Sequence, residues 1–372
     1  MNNKECTGCG LCAKKCPKKC IKMCLNSEGF YYPVIDKTKC INCNLCKKNC
    51  PLKLKLEKNL NARTYALQLK NKKKLNKCAS GGAFYSIATT ILKKGGVVIG
   101  VGRNKDLSIE FKFINKKSDL YKVQNSKYFQ CNLTNDIYDK INEIIKNKFV
   151  LFSGTPCQVA AVKTFFQNNN NKDNLITLEI LCQGVPSYKT IKYFYDYYEK
   201  KEKSKLIDHQ FRSKNKYVGR DYLSIYEYEN GTKKEFVGGN DILTLSFQRF
   251  LFLRNSCYNC HFSNENRISD FTCGDIWSFD DKNSKIVLKN GVSFVRCNND
   301  KALKILFETN NCNYIEVDEK EILKTNIPFH THVKKPFFRH VSYKLIKLKI
   351  SPKIITILGA WKFYVKKIIE RK

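Results

Sequence analysis

The sequence predicts a small, cysteine-dense α+β unit followed by a larger α/β unit. Three observations predict it. Ten of the 19 cysteines fall within the first 50 residues, where no long periodic segment occurs. "PLKLKLEKNLNAR" (51–63) then reads as a polar linker. From Arg63 onward, helix-like and strand-like segments alternate with turn residues between them, the pattern of an α/β core. We expect units at 1–55, a linker at 56–75, a core at 76–340 and a basic amphipathic tail at 341–372.

The core elements follow in order. "SGGAFYSIATTILKKGG" (80–96) predicts an amphipathic helix with Ser80 as N-cap and Gly95–Gly96 as stop. "VVIGVG" (97–102) predicts a short buried strand. "KFVLFSGTPCQVAAVKTFF" (148–166) predicts strand, turn and helix. "NLITLEILCQGVPSYKTIKYFYDYYEK" (174–200) repeats that order, with Pro186 near the first helical position. "DYLSIYEYENGTKKEFV" (221–237) predicts a hairpin turning at Asn-Gly. A helix is expected over 241–255, a strand over 291–297 and a helix over 300–308. The tail is expected to dock back on the core, with peripheral membrane contact as the lesser alternative.

Composition bounds the chemistry. The chain has 372 residues and is 42% hydrophobic, enough for a sizeable core. It opens "MNNKECTGC" without an apolar leader, and no run of 18 apolar residues occurs. Reduced thiols in a cytoplasmic protein are the expectation, with metal binding the reason for so many. The formal charge is +35, from 68 Lys and Arg against 33 Asp and Glu. Such a surface attracts acidic partners: a polyanionic cofactor, an acidic carrier protein, nucleic acid or anionic lipid. The aromatic residues do not interleave with basic ones in a nucleic-acid-binding motif, so no nucleic acid is expected.

The first 50 residues carry one pattern twice. Cys6-x-x-Cys9-x-x-Cys12-x-x-x-Cys16-Pro17 is followed by Cys40-x-x-Cys43-x-x-Cys46-x-x-x-Cys50-Pro51. In this arrangement three close thiolates wrap one 4Fe-4S cubane and the fourth cysteine serves the other cubane. One cluster therefore takes Cys6, Cys9, Cys12 and Cys50, and the other takes Cys40, Cys43, Cys46 and Cys16. Zinc sites pair C-x-x-C units instead. Cys20 and Cys24 lie outside the pattern, and Cys20 reads as a small buried hydrophobe. This unit resembles bacterial-type two-cluster ferredoxins and by itself implies only one-electron transfer.

"RNSCYNCHF" (254–262) holds Cys257 and Cys260 at C-x-x-C spacing, which is half a site. Cys157 and Cys182 each sit where a predicted strand ends and a helix begins. If those strands are parallel neighbours, both thiols emerge at one carboxyl edge, where α/β folds place their sites. A helix N-terminus also favours a thiolate. A third cluster on these four cysteines and a set of inert core thiols both fit the pattern. Cys273, thirteen residues after Cys260, could belong to a different ligand set. Cys297 reads as structural, and Cys78, Cys131 and Cys312 lack ligand-like spacing.

"ASGGAFYSIA", "GGVVIGVG", "NSKYFQ", "FSGTPCQVAAVK", "LEILCQGVPS", "LRNSCYNCHF" and "RISDFTCGDIW" occur in the order expected of one family. From about Asn76 to about Lys304 the chain resembles the beta subunit of coenzyme F420 hydrogenases and dehydrogenases, with their related flavoprotein reductases. The resemblance implies an FAD-containing α/β flavoprotein domain with its own 4Fe-4S cluster, held by Cys157, Cys182, Cys257 and Cys260. It leaves Cys273 out. It also places Ser80, Gly81 and Gly82 near the flavin, a glycine-permissive helix N-terminus suited to a phosphate or flavin edge. Gly154, Thr155 and Gln158 would line the same region. The chain departs from the family at 211–219, which lacks a tryptophan, at Ser278 in place of a glycine, and at Cys131 in place of a small polar residue.

The implied activity is electron transfer between a hydride donor or acceptor, reduced coenzyme F420 foremost, and a one-electron partner. That partner would be an acidic carrier such as ferredoxin, or a partner oxidoreductase subunit. The rival readings are a non-catalytic electron-transfer subunit and an enzyme acting on a sugar or polysaccharide intermediate of the cell envelope. No catalytic acid or base can be named, since the five histidines show no catalytic setting. Gly100-x-Gly102 lacks the third glycine of a dinucleotide fingerprint.

Overall fold

A computed structural model describes residues 4–214, 222–237, 240–278, 285–324 and 326–361. The first 50 residues form a two-stranded antiparallel sheet, β1 (Ile21–Leu25) and β2 (Tyr31–Ile35), flanked by two single-turn helices, Leu11–Lys14 and Leu45–Lys48. The two helices touch each other, and each begins within one cysteine loop.

The larger unit is built on β3 (Arg63–Leu69), β4 (Val97–Arg103), β5 (Ile109–Ile114), β6 (Val150–Gly154), β7 (Leu175–Ile180), β8 (Leu206–Lys214), β9 (Tyr222–Tyr228), β10 (Lys233–Val237), β11 (Phe271–Ile276), β12 (Val292–Cys297) and β13 (Cys312–Glu316). Eight of these form one mixed sheet in the order β13-β3-β12-β11-β7-β6-β4-β5. β4, β6, β7 and β11 are parallel neighbours. β3 runs the same way, because it is antiparallel to β12 and β12 is antiparallel to β11. The carboxyl ends of these five strands therefore share one edge. β8, β9 and β10 make a separate antiparallel sheet.

The fold class agrees with the sequence expectation, and several local readings change. Residues 63–69 were expected in the linker, yet they form β3, an interior strand buried along nearly its whole length. The helix expected from Ser80 spans Ala83–Lys93, and its N-cap is Gly82 at φ +90°. Ser80 instead donates its hydroxyl to the Val292 carbonyl at 2.9 Å. The helix expected over 241–255 stops at Gln248, because Phe250 turns left-handed at φ +58°. Residues 251–254 then run toward the C-x-x-C pair. Pro186, expected near the first helical position, lies just before the N-cap Ser187 of the helix Tyr188–Glu202.

The described part of the tail folds as helices Phe338–Lys347 and Pro352–Gly359. It docks on the core: Tyr343 and Ile355 are buried, and the Ser246 and Thr356 hydroxyls lie 2.8 Å apart. Residues 215–219 of the stretch without a tryptophan, and the tail from 362, lie outside the described residues. Among the described residues no helix is long and apolar enough to cross a membrane.

Candidate functional site

The carboxyl edge gathers the core cysteines. β6 ends at Gly154, and Cys157 lies in the first turn of the helix Pro156–Phe166. Thr155 caps that helix in a reciprocal box with Gln158. The Gln158 amide nitrogen also donates to the Cys131 carbonyl at 2.7 Å. Gln158 is thus buried and committed to structure, while the Thr155 hydroxyl lies 3.2 Å from the Cys157 sulfur. These two residues orient Cys157.

β7 ends at Ile180, and Cys182 follows in a turn where the Gly184 N–H meets its sulfur at 3.3 Å. Gly184 adopts φ +121°, and a Cβ there would stand 2.9 Å from Cys257 Cβ. This close approach seats the 3-10 turn Asn255–Asn259 on the Cys182 loop, fastened by Arg254 N–H donating to the Val185 carbonyl. As a result Cys157, Cys182, Cys257 and Cys260 all lie within electrostatic reach of one another. Their thiols are raised chiefly by burial, Cys257 to about 12 and Cys260 to about 11. Cys273 stands apart. It is buried in the middle of β11, with Cys297 and Glu179 as its titratable neighbours.

The N-terminal cysteines lie close to one another. Cys12 neighbours Cys6, Cys50 and Cys46. Cys16, Cys40, Cys43 and Cys46 line one cavity, which Cys20 shares with its sulfur 3.4 Å from that of Cys16. Cys20 is buried, as its small-hydrophobe reading expects. Cys9 neighbours Cys6 and Cys12 on one side and Cys157 of the core on the other. Cys9 thus brings the N-terminal unit to the core cysteines, while Cys43 is exposed. Among the described residues no three His, Cys, Asp or Glu side chains converge closely enough to hold a single metal ion.

Arg254, which the sequence reading passed over, joins the two units. It is 1% exposed. Its guanidinium donates to the Cys6 carbonyl at 2.8 Å, the Tyr31 carbonyl at 2.7 Å and the Gln130 side chain at 3.0 Å. It lies over the Tyr32 ring, and its charge works against the burial that raises Cys157 and Cys257. The one signal in the sequence was an arginine closing the apolar run "FLFLR" just before the C-x-x-C pair.

Ser80, Gly81 and Gly82 reach the same carboxyl edge beyond β3. A Cβ on Gly81 would lie 2.2 Å from the Leu67 carbonyl and 2.4 Å from the Ser293 nitrogen, so only glycine lets this loop pack on the sheet. No side chain caps the helix that follows, which leaves its first N–H groups available to an anion. Beside it stand cationic residues that the sequence reading also missed. Lys214 donates to the carbonyls of Leu75, Ser80 and Asn290, and burial pushes it down to about 8. Arg212 pairs with Asp275 at 2.5 Å and lies over the Tyr222 and Trp277 rings. Elsewhere, Lys127 within "NSKYFQ" lies by Arg103 and Asp208 and is pushed down to about 7, chiefly by burial and then by Arg103.

Fold and site together define an α/β protein with a cysteine-lined strand edge and a cysteine-rich unit docked against it. Residues 147–322 match the family described as the C terminus of the coenzyme F420 hydrogenase/dehydrogenase beta subunit. This is the family that the sequence resembles, and the match spans Cys157, Cys182, Cys257 and Cys260. A chain from the xenon-derivatized F420-reducing [NiFe] hydrogenase complex of Methanosarcina barkeri shares the fold. It has a TM-score of 0.50 at 15% identity, over 83% of this chain and 96% of that one. No curated protein matches the sequence.

Proposed function

We propose that the chain is an iron–sulfur flavoprotein oxidoreductase. It moves electrons between a hydride carrier, coenzyme F420 foremost, and a one-electron partner such as ferredoxin or a partner oxidoreductase subunit. The observation that carries this reading is the gathering of Cys157, Cys182, Cys257 and Cys260 at the strand edge, with Cys9 of the N-terminal unit next to Cys157. The family match over 147–322 supports the oxidoreductase class.

The residues suit the groups assigned to them. Cys157, Cys182, Cys257 and Cys260 would hold a core 4Fe-4S cluster. Cys6, Cys9, Cys12 and Cys50 would hold a second, and Cys16, Cys40, Cys43 and Cys46 a third. A cubane is wider than one ion, so its ligands need not converge as tightly as zinc requires. N–H donors already meet two of the sulfurs, at Cys6 from Gly8 and at Cys182 from Gly184. Such donors stabilise thiolate and tune a cluster. FAD would lie at the same strand edge, by Ser80–Gly82 and Gly154. There the uncapped helix start suits its phosphates. A flavin supplies the conversion between a hydride pair and single electrons. The chain's own residues position these groups and keep water from the core site. We place the protein in the cytoplasm and take 1–55 as a ferredoxin-type domain.

The test is anaerobic purification with iron, sulfide and flavin quantitation, followed by titration with reduced deazaflavin. About twelve irons with bound FAD, and bleaching of the flavin, are the expected result. About eight irons and no flavin would remove the core cluster from the reading. A chain that retains FAD but is not reduced by the deazaflavin would move the substrate toward the sugar-intermediate alternative.

A further inference from the structure

The two cysteine loops of the N-terminal unit are copies of one another: "CTGCGLC" (6–12) and "CINCNLC" (40–46). Their backbones agree. Gly8 and Gly10 adopt φ +71° and +74°, and the matching Asn42 and Asn44 adopt +52° and +58°. Each loop leads into a single-turn helix that begins with leucine. Their surroundings differ. Leu11 is 0% exposed and packs among Cys131, Leu133 and Tyr138 of the core. Its counterpart Leu45 is 38% exposed, and Ile41, in the place of Thr7, is 57% exposed. The core covers the first loop, while among the described residues nothing covers the second.

We propose that this second loop is the docking face for an acidic one-electron carrier protein. The inference rests on the three-cluster reading above. Apolar contact would come from Ile35, Ile41 and Leu45, which border the cavity lined by Cys16, Cys40, Cys43 and Cys46. The rim is basic, with Lys18, Lys37, Lys39, Lys47 and Lys48 all exposed. The acid on this rim is Asp36, which pairs with Lys39 at 3.6 Å and is held low chiefly by the Thr38 hydroxyl. Lysines on the covered side of the unit are used internally: Lys14 pairs with Asp139, and Lys15 lies over the Phe165 ring. An apolar centre with a rim of one charge is the anatomy of a transient, electrostatically steered interface. Transfer weakens steeply with distance, so a carrier seated here would stand against the outermost cysteine group. One electron passes between the two proteins, and whichever partner gains it, the other loses it.

The test uses the full chain, purified anaerobically, and a plant-type [2Fe-2S] ferredoxin as the acidic probe. Its Kd is measured at low salt. Lys47→Glu/Lys48→Glu is expected to weaken binding roughly tenfold and to flatten its salt dependence. A matched reversal at the C-terminal end of the helix Tyr188–Glu202, Lys200→Glu/Lys201→Glu, is expected to leave Kd within about twofold. Ile41→Ser, which leaves the charge alone, is expected to weaken binding several-fold with iron content unchanged. Equal weakening by both reversals would reduce the binding to general basic charge and overturn the proposal, as would no weakening by any variant. A wild-type dimer that Ile41→Ser dissociates would assign the face to a second copy and also overturn it. Iron and flavin content are read separately, so a docking failure leaves the three-cluster reading standing.

Discussion

The two cysteine loops share a backbone and differ in what faces them. Both need two left-handed residues to wrap three sulfurs inward. In the first loop those residues are glycines. A Cβ on Gly8 would stand 2.8 Å from the Tyr31 carbonyl and 2.9 Å from the Arg254 guanidinium, and one on Gly10 would stand 2.9 Å from the Leu133 carbonyl. In the second loop the same positions carry asparagine, which tolerates left-handed backbone and, at an exposed site, meets no obstacle. The turn geometry belongs to the motif. The choice between glycine and asparagine records which loop is pressed against the core.

The comparison can be broken most severely at the cysteines. Cys9→Ser and Cys43→Ser are each expected to cost about four irons. Only Cys9→Ser should also isolate the flavin from the N-terminal unit, because Cys9 is the neighbour of Cys157. Rapid-mixing spectroscopy of cluster reduction by the deazaflavin would separate the two. Equal behaviour would refute the order of the three groups.

Arg254 comes next. Arg254→Ala leaves the carbonyls of Cys6 and Tyr31 and the Gln130 side chain without their buried donor. We expect a loss of roughly 3 kcal/mol in the docking of the N-terminal unit. Thermal melts and faster proteolysis of the 54–62 connection would report it. Among the described residues no lysine or arginine occupies the matching place at the second loop, and charge changes there should leave the melt within about 0.5 kcal/mol.

The smallest contrast lies in the left-handed residues. Gly8→Asn is expected to destabilise by about 1–3 kcal/mol through the forced contacts with Tyr31 and Arg254. Asn42→Gly should shift stability by no more than about 0.5 kcal/mol. Chemical denaturation of the two variants side by side checks this. Matching losses would mean that the loop backbone, and not its packing, sets the residue.

Much of the site was legible because metal chemistry writes itself into spacing. The doubled C-x-x-C-x-x-C-x-x-x-C-P proposes groups of ligands before any fold is known, since three ligands so close along the chain would reach one cubane. The strand-turn-helix texture around Cys157 and Cys182 was legible too, because buried parallel strands are near-continuous apolar runs. Less legible were residues whose role depends on distant partners. β3 looked like linker because nothing local says that "RTYALQL" lies between β12 and β13. Gln158 and Thr155, expected to line the flavin region, also close a capping box, and Gln158 holds the Cys131 carbonyl, a partner 27 residues away.

The sequence by itself determined the spacing of the cysteines and the α/β character of the core. These follow from covalent spacing and local periodicity, which act over a few residues. Only the tertiary structure decided that Cys9 lies beside Cys157, the setting apart of Cys273 within β11, the seating of Arg254 on the carbonyls of Cys6 and Tyr31, and which loop faces outward. Those outcomes depend on contacts between segments up to about 250 residues apart, such as Arg254 with Cys6. No local pattern encodes such a contact, because its free energy comes from burial and from donors that meet only once the chain has closed.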